Sequence, residues 1–150
     1  MRDLVSRNIS THGQHLVQVL LTENDPDDAL PFVYTIGNHE RGLPELLILG
    51  HADDDHMWIL NFLGDLQRNR GKPFHHGEFV SLGGALPVKL VTTGPIGREA
   101  YAVQVGVYYG TEQYTVMQVL LCDPAGRYPD DPECDEDYRS PQPVLSLSTN

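Results

Sequence analysis

Short segments with the two-residue alternation or the apolar runs of strands recur along this chain, and one long stretch follows helical spacing instead. Residues 1–13 form a polar lead-in, with a helical turn from Arg2 to Asn8 and then the punctuation of Ser10, Thr11 and Gly13. Residues 15–21 are rich in β-branched and apolar side chains and read as a strand. The acidic segment 22–30 carries Asn24-Asp25-Pro26-Asp27, a turn composition that lets residues 32–36 return as the second strand of a hairpin. Strand alternation puts Phe32, Tyr34 and Ile36 on one face and Val33 and Thr35 on the other. Gly37 ends that run. Residues 45–50 follow Gly42 and Pro44 as an unbroken apolar run, which predicts a strand covered on both faces.

The helical stretch spans about residues 53–70. Asp53, Asp54 and Asp55 suit the free N–H groups and the dipole of a helix start, and Met57, Ile59, Leu60, Leu63 and Leu66 make its apolar stripe. Gln67, Arg68 and Arg70 precede the stop at Gly71. Residues 78–82 and 87–93 read as strands. In 98–109 the spacing of Tyr101, Val105 and Tyr108 competes with β-branched content and predicts a second, weaker helix closed by Gly110. A long strand over 114–122 and a turn over 123–126 follow. Residues 127–150, with Pro129, Pro132, Pro141 and Pro143 among six acids, form an acidic, proline-rich extended tail that wraps the domain or stays partly disordered. The fold class is therefore α+β, a mainly antiparallel sheet packed against one strong helix and a second weaker one, in a single domain over residues 1–150.

A chain of 150 residues with 40% hydrophobic content can build one core without metal or disulfide staples. Its formal net charge of -11, from 21 acidic and 10 basic side chains, repels phosphate backbones. Nucleic acid is thus not an expected partner, and a basic protein is; homo-oligomerisation stays open. Cys122 and Cys134 lack metal-pair spacing and read as one buried and one exposed thiol of a cytoplasmic protein. No apolar run approaches the roughly 20 residues of a membrane span, and the N-terminus lacks a signal-peptide core.

A set of spaced motifs carries a resemblance. These are Gly13 with His15, Tyr34-Thr35-Ile36-Gly37, Pro44-Glu45-Leu46, Tyr108-Tyr109-Gly110, Gln118, Asp123, Gly126, Tyr128 and Pro129. In these the chain resembles the bacterial family catalogued as domain of unknown function 4262. The resemblance covers nearly the whole chain and implies no assigned activity. Asn38 and His39 stand where that family carries Leu-Thr, and Leu121-Cys122 where it carries an aromatic-proline pair.

Candidate chemistry centres on residues 38–41. Asn38, His39, Glu40 and Arg41 form a polar loop between two strands, and with Tyr34, Tyr108 and Tyr109 they outline a candidate ligand pocket. There His39 with Glu40 or Glu45 could exchange protons. His12 and His15 could begin a metal site, although no HExxH or CxxC spacing accompanies them. Gly83-Gly84 and Gly94-Pro95-Ile96-Gly97-Arg98 could offer backbone N–H groups and a cation to an anion. No nucleophile motif is present. The favoured expectation is a non-catalytic binding module, of adaptor or toxin-neutralising type. The alternatives are a nucleotide- or flavin-binding protein and a histidine-dependent metal enzyme.

Overall fold

The computed structural model describes residues 2–84 and 86–146. One six-stranded sheet organises it, built from β1 (His15–Val19), β2 (Phe32–Ile36), β3 (Glu45–Leu49), β4 (Glu78–Val80), β5 (Val88–Thr92) and β6 (Val116–Leu120). The strand order is β1-β2-β3-β6-β5-β4, with β3 and β6 parallel and every other neighbouring pair antiparallel. The hairpin across the acidic turn has the expected register, His15 opposite Ile36 and Val19 opposite Phe32. The fold is α+β, as the pattern indicates.

Each face of the sheet buries one side of the strand alternation. Val33, Leu46, Ile48, Leu90, Met117 and Val119 pack under Leu60 and Leu63 of α2 (Asp54–Arg70). That helix forms where the pattern places it. Asp53 accepts the His56 N–H as its cap, and Gly71 closes it at φ 70°, donating to the Gln67 carbonyl. On the other face Tyr34, Ile36, Leu47, Leu49 and Val116 meet α1 (Arg2–His12), α3 (Pro95–Tyr101) and α4 (Val103–Tyr109). The run 45–49 is buried throughout because helices cover both sides.

Several boundaries differ from the sequence reading: β1 stops at Val19, β4 at Val80, and the long strand expected over 114–122 is only Val116–Leu120. The lead-in is a full helix through His12, because Val5 and Ile9 lie one turn apart and bury together on the sheet. Ser10 and Thr11 are inside it, and Gly13 at φ 90° provides the stop. The helix expected over 98–109 starts earlier, at Pro95, whose fixed φ suits a first helical position. It also breaks at Ala102, whose carbonyl accepts the Tyr114 hydroxyl at 3.1 Å. Gly97 is consequently a helical residue packed against Leu145, not part of a glycine cradle.

Residues 127–146 lie against the sheet. Tyr128 joins Val91 and Leu120 in a third apolar cluster, and the side chain of Gln142 bonds both the N–H and the carbonyl of Leu121. A short helix, α5 (Glu136–Arg139), interrupts the segment, and Thr93 bridges to Ser146. The last four residues of the tail fall outside the described residues. Cys134 is buried, Cys122 is half-buried, and they are not joined. No helix of the described residues is long and apolar enough to cross a membrane.

Candidate functional site

Glu45 opens β3 fully buried, and its carboxylate is wrapped by the loop before it. Oε1 accepts from the Thr35 hydroxyl at 2.7 Å and from the Asn38 N–H at 3.1 Å; Oε2 accepts the N–H groups of Gly37 and His39, each at 3.0 Å. Burial pushes this carboxyl up, and the donors of His39, Thr35, Gly37 and Asn38 pull the other way. Among the described residues no cation pairs with it. A carboxylate whose lone pairs face its own backbone fixes a loop. His39 meets it through the main chain, so the expected imidazole–Glu45 proton pair is not assembled.

Asn38 continues the arrangement inward. It is fully buried, although it belongs to a polar loop between two strands, because its amide donates to Gln14 Oε1 at 2.9 Å and accepts from Arg68 Nη1 at 2.8 Å. Arg68 also donates to Gln14 at 2.8 Å and pairs with Asp65 at 2.7 Å, while Gln14 donates to the Leu60 carbonyl at 3.1 Å. Gly64 makes room for this: a Cβ there would stand 2.1 Å from Gln14 Oε1. Gln14 and Arg68 were not legible as partners of the loop, since 24 and 30 residues separate them from Asn38.

Of the other pocket candidates, His39, Glu40, Tyr108 and Tyr109 converge. The His39 and Tyr109 rings are 4.8 Å apart, the Tyr109 hydroxyl donates to Glu40 at 2.7 Å, and Tyr108 meets Tyr109 edge-on at 4.8 Å. Tyr108 is held in turn by the Ser6 hydroxyl at 2.6 Å and by Arg2 over its ring. Burial and the Glu40 bond push the Tyr109 hydroxyl up, so it stays protonated at neutral pH. Tyr34 lies apart, 1% exposed beneath α4, with burial raising its hydroxyl to about 12. Arg41 is exposed at the loop tip.

His12 and His15 face one cavity of about 610 Å³ with Asn8, Gln14, Asn61 and Asp65. His12 ends α1 and is not on a loop, and His15 Nδ1 is bonded to the Asn8 amide at 2.9 Å. Burial lowers the His15 pKa. Among the described residues no three His, Cys, Asp or Glu converge as a metal-holding group. His51 and His56 stack on each other, and His76 accepts the Thr92 N–H.

The topology also sorts the charge. Where β3 and β6 end, β1 also ends and β2 and β5 begin. Three of the connecting segments at that end, 20–31, 50–55 and 121–143, hold fourteen of the 21 acidic residues and only two of the 10 basic ones, Arg127 and Arg139. The remainder of the chain, with seven acids and eight bases, is close to neutral.

A family model described as Domain of unknown function (DUF4262) matches residues 8–135. No curated protein and no solved structure matches the chain.

Proposed function

The chain belongs to the family described as Domain of unknown function (DUF4262), and we propose that this member is a non-catalytic module that binds a basic protein at the acidic end of its sheet. What supports the reading is the segregation of charge: essentially the whole net charge of -11 falls in three neighbouring segments. Glu23, Asp27 and Asp28 on the hairpin turn, Asp54 and Asp55 at the start of α2, and Asp137 on α5 are all exposed. Such a one-sided field steers a positively charged partner and repels acidic ones. The loop motif that carries the family resemblance is meanwhile engaged internally, with Thr35, Gly37 and Glu45 bonded to one another. Unpaired thiols at Cys122 and Cys134 suit a reducing compartment, so the proposed setting is the cytoplasm.

Affinity capture with the 150-residue chain as bait tests this. The expected result is a basic protein released as salt is raised, and lost when Glu23, Asp27, Asp28, Asp54, Asp55 and Asp137 are changed together to their amides. Capture indifferent to both salt and those six substitutions would remove the reading.

A further inference from the structure

At the opposite end of the sheet, where β3 and β6 begin, lies a second feature that the acidic end does not use. A cavity of about 570 Å³ opens between the 38–44 loop, the loop after α2, the end of β5 and the segment leading into β6. Leu43, Pro44, Phe74 and Met117 give it an apolar floor, and His39, Thr92, Gln113 and Arg98 give it polar walls. Its size is that of a site for a small molecule.

Arg98 is the unexplained group. Its Nη1 donates to the Tyr114 carbonyl at 2.7 Å and its guanidinium lies over the Tyr114 ring, 4.9 Å from the centroid. Those contacts fix the fork in place. Yet its Nε is buried with no acceptor, and among the described residues no carboxylate pairs with it. Arg2 is likewise held by the Tyr108 carbonyl and ring without a carboxylate, but its cavity is the smaller, about 140 Å³ against 570 Å³. The buried Nε of Arg98 is out of a ligand's reach, but Nη2 has no acceptor among the described residues, and an anionic ligand, carboxylate or phosphate, would neutralise the guanidinium there through a charge-assisted bond.

The lining selects between those two anions. Glu112 shares the cavity wall, and a dianion would meet its repulsion as well as the field of the whole chain. The apolar floor rewards a hydrocarbon body. We infer that the cavity between His39 and Arg98 binds a small organic monocarboxylate, with the carboxylate on the free edge of Arg98 and the apolar portion against Phe74 and Met117.

The test titrates the intact chain by calorimetry with benzoate and hexanoate, with benzamide and hexanamide as uncharged counterparts, and with inorganic phosphate. Amide chemical shifts locate the binding. The carboxylates should bind roughly ten- to a hundredfold more tightly than the amides, the usual worth of a charge-assisted bond. Shifts should centre on Thr92, Arg98 and Gln113. Arg98→Gln should bring carboxylate binding down to the amide level while leaving amide binding in place. Should that variant fail to fold, Thr115→Trp, at an exposed rim position, should block both ligand types. No carboxylate binding, equal binding of acid and amide, a preference for phosphate, or indifference to Thr115→Trp would each overturn the assignment.

Discussion

Glu45 accepts the backbone N–H of His39 at 3.0 Å, so the strand that follows the 38–44 loop holds the loop's own beginning. Four further donors converge on the same carboxylate: the Thr35 hydroxyl, the Gly37 N–H, and the main-chain and side-chain N–H groups of Asn38. Truncation strands the Thr35 hydroxyl and the three main-chain N–H groups, while the Asn38 amide keeps Gln14, and each unsatisfied buried donor costs about 1–3 kcal/mol. Glu45→Ala should therefore lose about 3 kcal/mol or more of stability, and Glu45→Gln less, since one amide oxygen still serves one set of donors. Urea denaturation of both variants checks the order. Equal losses would show that the carboxylate's two oxygens are not the fixing element.

Gly64 occupies the middle of α2, where alanine would ordinarily gain about 1 kcal/mol in helix propensity. Here the added methyl would meet Gln14 Oε1 at 2.1 Å and Arg68 Nη1 at 2.9 Å. Gln14 would have to leave Asn38, Arg68 and Leu60, at about 1 kcal/mol for each bond. Gly64→Ala should thus destabilise by about 1–3 kcal/mol despite the better helix former. Thermal melting beside the double variant Gly64→Ala, Gln14→Ala tests it, because removing the obstructing amide should shrink the effect of the methyl.

Much of the fold was legible because strand alternation and helical spacing are local. Val33 and Tyr34 point to opposite cores as period two requires, and the Asp53 cap and Gly71 stop bracket α2 within a residue or so of the expected limits. The break at Ala102 was not legible, since its cause is a hydroxyl twelve residues later in the chain. The candidate site was legible in composition but not in depth. Asn38 reads as a loop residue, and only the approach of Gln14 and Arg68 from two other elements buries it. Tyr108 and Tyr109, in contrast, do meet the 38–41 loop through Glu40 and His39. The sequence elements Thr35, Gly37 and Glu45, which carry the resemblance, prove to be one hydrogen-bonded unit, a relation that spacing alone does not display.

Asp123 makes the segment after β6 sensitive to acid. Its carboxylate accepts the N–H groups of Asp135 at 2.9 Å, Arg127 at 2.9 Å and Ala125 at 3.0 Å. The Asp135 bond, followed by that of Arg127, holds the carboxyl below the usual Asp value. A carboxyl lowered in the fold contributes stability that is present above its unfolded pKa and disappears as pH falls through the folded value. Asp123→Asn should therefore melt below the wild type at neutral pH, with the gap closing as pH is taken below about 4, the ordinary Asp range. A gap that stays constant from neutral to acid would place the effect in packing and not in ionisation.

The acidic end should also tax the fold itself. Twelve of its fourteen carboxylates are exposed, against Arg127, Arg139 and the Lys89 that pairs with Asp130, so their mutual repulsion acts on the folded state and is relieved when the chain expands. Salt screens charges over about 8–10 Å at physiological ionic strength, which is comparable with the spacing of neighbouring segments. The wild-type melting temperature should rise with added sodium chloride. The variant with Glu23, Asp27, Asp28, Asp54, Asp55 and Asp137 amidated should respond less to salt, because it lacks half of the exposed carboxylates and none of those six carries an ion pair. Amidating Asp3, Glu99 and Glu112, which lie outside the acidic end, should leave the salt response close to that of the wild type. Parallel salt responses for all three proteins would mean that the repulsion is spread over the whole surface and not concentrated where the partner is proposed to bind.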